Sequence, residues 1–146
     1  DYTAGISNNL SYILAVEKLM GIQVPKRAQY IRVMMAELQR IAAHLLWLAT
    51  HALDMGAMTV LFYCFRDRET VIDILEDFTG ARLTPSFLRI GGLAADLPEG
   101  IEGKIMAFLD DFPRLIKEYE TLLTKNIIWL RRTKGVGVIS PQDAIN

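Results

Sequence analysis

IRVMMAELQRIAAHLLWLATHA, the stretch from residue 31 to residue 52, decides the fold of this chain. Apolar side chains recur along it at alternating steps of three and four residues, which is the period of one face of a helix. These positions are Ile31, Met34, Leu38, Ile41, Leu45, Leu48 and Ala52. Further apolar side chains widen the stripe, so we expect a central helix, over about residues 26–55, that is buried along much of its girth. Pro25 suits its first position and Gly56 its end.

Glycines and capping residues predict a helix on either side of the central one. Gly21 and Gly80 are expected to end a first and a third helix, because glycine readily adopts the left-handed conformation that closes a helix. Ser7 or Asn8 is expected to cap the start of the first helix, since short polar side chains accept hydrogen bonds from free backbone N–H groups there.

The second half of the chain begins with a long loop. Residues 81–100 are rich in glycine and proline and lack a sustained period. Helical spacing returns from residue 101 to residue 134, and Pro113 is expected to kink or divide this helix because it lacks a backbone N–H. Ser140 followed by Pro141 marks another helix start. We therefore interpret residues 1–146 as one all-α domain, a helical bundle that is a fragment of a longer protein.

The composition agrees with a compact helical domain. Hydrophobic residues make up 51% of the 146, and a net charge of −1 gives no overall field that would attract nucleic acid. The apolar stretch 41–65 resembles a membrane span, but Asp54 near its middle disfavours insertion by roughly 2.5–3.5 kcal/mol. A buried helical hairpin is the better prediction. Apolar faces left exposed on the isolated chain are expected to cause self-association.

The two histidines are the first candidates for a metal site. His44 and His51 are seven residues apart on the central helix, which separates them by about 10 Å. A shared zinc ion would need both ring nitrogens within about 2.1 Å. Cys64 is the single cysteine of the sequence, so paired-cysteine motifs are excluded as well. We predict no metal-binding residue.

A row of polar and aromatic side chains follows one flank of the central helix. Its members, at steps of three and four residues, are Glu37, Arg40, His44, Trp47 and His51. The plainer interpretation is a hydrogen-bonded structural network. The functional alternative is a buried polar chain that stores or passes protons.

Asp54 follows this row at the expected helix end, between apolar neighbours. A carboxyl group in such surroundings is either neutralised by a base or has a raised pKa. Its spacing alone favours a structural cap or ion pair. Cys64 lies in an apolar run that should keep its thiol protonated, so nucleophilic catalysis has no support.

Several motifs together carry a family resemblance. They are DY (1–2), AVEKL (15–19), RAQYIRV (27–33), HLLWL (44–48), THALDMGAMT (50–59), TGAR (79–82) and RIGG (89–92). This set resembles the 49-kilodalton-type, or D-type, subunit of complex I, the respiratory proton-pumping NADH:quinone oxidoreductase. The resemblance is strong up to about residue 100 and looser beyond it.

The resemblance implies a quinone-reduction site beside a small partner subunit that carries the terminal iron–sulfur cluster. In the family, the tyrosine that matches Tyr2 hydrogen-bonds the quinone headgroup, together with a histidine from an upstream loop that this sequence lacks. The acid that matches Asp54 pairs with that histidine and takes part in proton delivery. Tyr2 and Asp54 are therefore the expected catalytic residues, and Tyr2 is also the expected quinone-binding residue.

The resemblance also implies a setting. The substrate would be ubiquinone or menaquinone, partner subunits would hold NAD and the iron–sulfur cluster, and the complex would include a membrane arm. The chain would lie peripherally at the cytoplasmic side of the bacterial inner membrane and be inactive alone. Thr84 stands where many relatives have a histidine near the cluster, so proton coupling of the cluster does not carry over.

Two alternatives remain open. One is a helical scaffold, without catalytic role, that docks partner subunits through residues 81–100. The other is an enzyme like the related nickel–iron hydrogenases, which would need the paired cysteines that this sequence lacks.

Overall fold

The computed structural model of this protein describes residues 3–146, which form six helices and one short two-stranded hairpin. The elements are α1 (Gly5–Met20), α2 (Lys26–Asp54), α3 (Met58–Thr79), β1 (Leu88–Arg89), β2 (Gly92–Leu93), α4 (Ile101–Leu123), α5 (Ile127–Thr133) and α6 (Pro141–Ile145). The predicted all-α class and the central helix are confirmed. No helix within residues 3–146 is long and apolar enough to cross a membrane.

The core follows α2 along its length in two apolar clusters of the described residues. One joins α1, the first half of α2, the second half of α3, the hairpin and the start of α4. The other joins the second halves of α2 and α4 to the start of α3, and Ile41 and Phe112 pack against both clusters. One side of α2 stays exposed, including Tyr30, Val33 and Trp47. Burial therefore covers much of the girth of α2, as predicted, but not this side.

The helix ends show which local signals were decisive. Gly21 and Gly80 end α1 and α3 with left-handed φ values of 67° and 73°, as predicted. The cap prediction for α1 is wrong: the helix starts earlier, with Ala4 at the cap position, and the Asn8 amide donates to the Ala4 carbonyl from inside the first turn. Pro25 lies one position before α2 rather than in it.

Pro113 does not divide the fourth helix. α4 runs through it from residue 101 to residue 123, with an apolar face buried against its neighbours. A proline inside a helix costs about 3 kcal/mol, and burying several large side chains of this face, at about 1.5–3 kcal/mol each, offsets that cost. The break comes at residues 124–126, where the Asn126 side chain accepts from the backbone N–H groups of Ile128 and Trp129 and starts α5.

The predicted loop 81–100 is not irregular throughout, because β1 and β2 pair antiparallel within it. A buried ion pair holds this hairpin. Arg32 on α2 binds Glu17 on α1 through two hydrogen bonds of 2.7 and 3.0 Å, and it also donates to the carbonyls of Arg89 and Gly92. Glu17 in turn accepts from the Gly91 backbone N–H at 2.7 Å. The hairpin is thus fixed to two helices by groups that solvent does not reach.

Candidate functional site

Asp54 is the last residue of α2, at the turn that leads into α3. The turn closes as a Schellman motif: the Ala57 N–H donates to the Ala52 carbonyl at 2.7 Å, and the Gly56 N–H donates to the Leu53 carbonyl at 2.8 Å. Gly56 has φ +83°, which is the left-handed conformation that this motif requires. The backbone that carries Asp54 is therefore held by hydrogen bonds on both sides of the turn.

The carboxylate of Asp54 is exposed, and no residue from 3 to 146 forms a hydrogen bond or ion pair with it. The prediction that apolar side chains surround the Asp54 carboxyl group is wrong, because Asp54 lies on the exposed side of the last turn of α2. Asp54 neither caps a helix nor belongs to an ion pair within the described residues. Tyr2, the other predicted site residue, lies outside the described residues, so its place relative to Asp54 stays a prediction.

The polar row on α2 is a surface feature. Glu37 and Arg40 form an exposed ion pair at 2.9 Å, and Trp47 stacks on His51 with ring centroids 5.1 Å apart. His44 is exposed. The row is therefore neither a continuous network nor a buried proton chain. Pairs of neighbours contact each other, and water reaches most of the row.

A groove of about 690 Å³ runs between α2 and α4 beside this row. Its walls are mainly apolar, and its polar lining side chains include His44, Glu120 and Thr124. Trp47 and Ile116 line it and are exposed. The sequence pattern did not predict this groove, since it depends on how α4 crosses the central helix.

An ionisable cluster that was not predicted from the sequence lies on the other side of the groove wall. Asp67 on α3 is 4% exposed and accepts a hydrogen bond from the Tyr119 hydroxyl of α4. Arg66 binds both Asp67 oxygens, at 2.6 and 3.0 Å, and reaches Glu118 at 2.8 Å. Burial and the bond to Asp67 raise the pKa of Tyr119. The pattern did contain a signal, because Asp67 continues the apolar stripe of Val60, Cys64 and Val71.

Neighbouring Cys64 is fully buried, as expected for an unreactive thiol. Burial, followed by the negative charge of Asp67, raises its pKa to about 11. No three His, Cys, Asp or Glu side chains in the described part of the chain are grouped so that they could hold a metal ion.

Comparison with known proteins shows which proteins this chain is similar to. Residues 54–146 match the family model described as the 49 Kd subunit of respiratory-chain NADH dehydrogenase. Over all of its length the chain is 60% identical to the D subunit of the NADH-quinone oxidoreductase of Geotalea uraniireducens and 57% identical to that of Citrifermentans bemidjiense. It is also 57% identical to the C/D 2 subunit of the NADH-quinone oxidoreductase of Aquifex aeolicus. The chain spans 37%, 38% and 25% of the length of these relatives.

Proposed function

This chain belongs to the family of the 49 Kd subunit of respiratory-chain NADH dehydrogenase, and on that premise we propose that it forms part of the quinone-reduction site of an NADH:quinone oxidoreductase. The observation that carries the proposal is the state of Asp54. Its carboxylate is exposed, it has no partner within residues 3–146, and it stands on a turn held by backbone hydrogen bonds. A group that delivers protons must first be within reach and in a defined position.

The proposed reaction adds two electrons and two protons to a quinone to form the quinol. Tyr2 would donate a hydrogen bond, and then a proton, to one quinone oxygen. A histidine from outside this sequence would serve the other oxygen and pair with Asp54, whose negative charge favours the protonated imidazolium. Protons are needed because electrons alone would build up charge in a site of low dielectric.

The electron donor would be an iron–sulfur cluster in a partner subunit. Such clusters are held by sets of cysteine thiolates, and this sequence has one cysteine, Cys64, which is buried and holds its proton. This chain would therefore contribute proton donors and the wall of the quinone site. NAD would bind elsewhere in the complex, and the chain would lie peripherally at the cytoplasmic side of the membrane beside the membrane arm.

The experiment is quinone reduction by the assembled complex, with Tyr2→Phe or Asp54→Asn in the full-length subunit. Electron transfer from NADH to an artificial acceptor that draws electrons upstream of the cluster serves as the control for assembly. The matched control variant is Asp110→Asn, because Asp110 is exposed and has no partner in the described residues. We expect quinone reduction to fall at least about tenfold in the first two variants and to stay unchanged in the third. Wild-type quinone reduction in both site variants would contradict the proposal.

The second candidate is a scaffold that docks a partner subunit through residues 81–100. It is favoured by the hairpin, whose backbone is tied to buried Glu17 and Arg32 while the tip residue Ile90 is 47% exposed. An anchored hairpin with an exposed apolar side chain at its tip is suited to contact another protein. Ile90→Asp should then reduce the amount of assembled complex. The scaffold would be the whole function only if Asp54→Asn had no effect on quinone reduction.

A further inference from the structure

We infer that Arg132 is a positioning residue for Asp54, an inference that rests on the proposed function. Arg132 lies in α5, yet its guanidinium donates a hydrogen bond to the carbonyl of Met55, the residue directly after Asp54. The two residues are separated by 77 positions in the sequence. The turn that carries Asp54 joins α2 to α3, and it is thus also held by a residue of a third helix, α5.

Gly56 makes room for this contact. A side chain there would begin with a Cβ atom that overlaps the Arg132 guanidinium. The same glycine has φ +83°, which the Schellman turn requires. Gly56 therefore serves two purposes, since it allows the turn to close and leaves the space through which Arg132 reaches the backbone.

The reach of Arg132 is set by the anchoring of α5. The Asn126 side chain caps the start of this helix. Trp129, three residues before Arg132, meets the His51 ring edge-on with centroids 6.1 Å apart. His51 stacks in turn on Trp47 of the same helix, α2. α5 is consequently held against the end of α2 by aromatic contacts as well as by the hydrogen bond of Arg132.

Arg132 places a positive charge where α2 ends. The last carbonyls of a helix carry partial negative charge, so a cation that binds one of them stabilises the helix end. No carboxylate among residues 3–146 pairs with Arg132, and its other N–H groups make no hydrogen bond there. Arg132 therefore fixes the last turn of α2, and with it the direction in which the Asp54 side chain leaves the backbone.

The test is a double-mutant cycle in the assembled complex, with a short-chain quinone as substrate. Arg132→Gln in the full-length subunit should lower kcat for quinone reduction by roughly tenfold, because small displacements of a catalytic group are costly. In the Asp54→Asn background the same change should have no further effect. Arg132→Lys, whose ammonium group keeps the charge and a donor, should recover most of the rate. All rates are normalised to the artificial-acceptor activity.

Arg131→Gln is the matched control, because Arg131 is exposed and has no partner among the described residues. It should leave quinone reduction unchanged. The inference is overturned if Arg132→Gln has wild-type activity, if its effect multiplies with that of Asp54→Asn, or if Arg132→Gln and Arg132→Lys both prevent assembly, which would assign Arg132 a purely structural role. An Asp54→Asn variant with wild-type activity would instead overturn the proposed function, and the positioning role with it.

Discussion

Replacing Arg32 by methionine should destabilise the folded chain far more than replacing Arg27, an exposed arginine of the same helix. Arg32 and Glu17 have side chains that are only 3% and 6% exposed. Removing one partner of a buried pair leaves the other charge without compensation, which costs about 3–5 kcal/mol. Arg32 also donates to two hairpin carbonyls, so the substitution leaves them without this donor. Whole domains are stable by only about 5–15 kcal/mol, so this single change should remove a large share.

Arg27→Met is the matched control, because Arg27 also lies on α2 and binds a carboxylate, that of Asp96, at 3.0 Å. Those side chains are 62% and 64% exposed, and such pairs contribute about 0–1 kcal/mol. Urea unfolding of both variants, followed by circular dichroism, gives the two free energies of unfolding. Similar losses for Arg32→Met and Arg27→Met would refute the reasoning, since burial would then have no effect on the value of the pair.

The Glu17–Arg32 pair also predicts how the difference in free energy of unfolding between wild type and Arg32→Met depends on pH. The hydrogen bond from Arg32 is the main cause that lowers the pKa of Glu17 from its ordinary 4.5. Its stabilising contribution is therefore complete above the unfolded pKa and is lost as the pH falls through the folded one. In Arg32→Met, the Gly91 N–H is the remaining hydrogen-bond donor to Glu17, and burial opposes it by favouring the protonated form. The gap between wild type and variant should be largest at neutral pH and shrink below about pH 4.

Three further predictions concern the groove and the cluster behind it. Tyr119→Phe removes the hydroxyl that donates to buried Asp67, and urea unfolding should show a loss of about 1–3 kcal/mol; a loss near zero would mean that Arg66 alone satisfies the carboxylate. Cys64, with its pKa raised to about 11 and no exposed surface, should resist iodoacetamide at pH 8 in the folded chain and react once urea unfolds it. Rapid native labelling would show that α3 opens locally. The isolated chain should self-associate through the apolar groove, which Ile116 lines. Light scattering should therefore report a mass that rises with protein concentration, and Ile116→Asp should lower that mass. A monomer mass at all concentrations would contradict this prediction.

The helices of this fold could be predicted from the sequence because their signals are local. The stripe from Ile31 to Ala52 and the glycines at 21 and 80 act within one or two turns, and the structure confirms each of them. The prediction that Pro113 divides the fourth helix is wrong for the opposite reason. Its local preference is to break a helix, but the packing of α4 on its neighbours outweighs that preference, and no local pattern reveals the strength of packing.

The long-range contacts of the fold and of the turn that carries Asp54 could not be predicted in this way. Glu17 and Arg32 are 15 residues apart, Asp67 and Tyr119 are 52 apart, and Arg132 and Met55 are 77 apart. Periodicity says which face a residue occupies, but not which distant residue faces it. The roles of Tyr2 and Asp54 are expectations from the family resemblance, because neither spacing nor composition distinguishes them from an ordinary loop tyrosine and a helix-end acid.

In this molecule the buried acids are paired within the chain, and the candidate functional acid is exposed. Burial usually singles out an ionisable group as functional, yet the buried acids Glu17 and Asp67 are both satisfied by arginine or tyrosine partners within the chain. Their carboxylate oxygens are bound by donors within the chain, so these acids stabilise the fold and are not available to a substrate. Asp54 is the opposite case, since its backbone is held firmly while its carboxylate has no partner in residues 3–146. In a chain that spans little more than a third of relatives such as the Geotalea uraniireducens protein, a positioned acid without an internal partner is the better candidate for a site shared with residues from elsewhere.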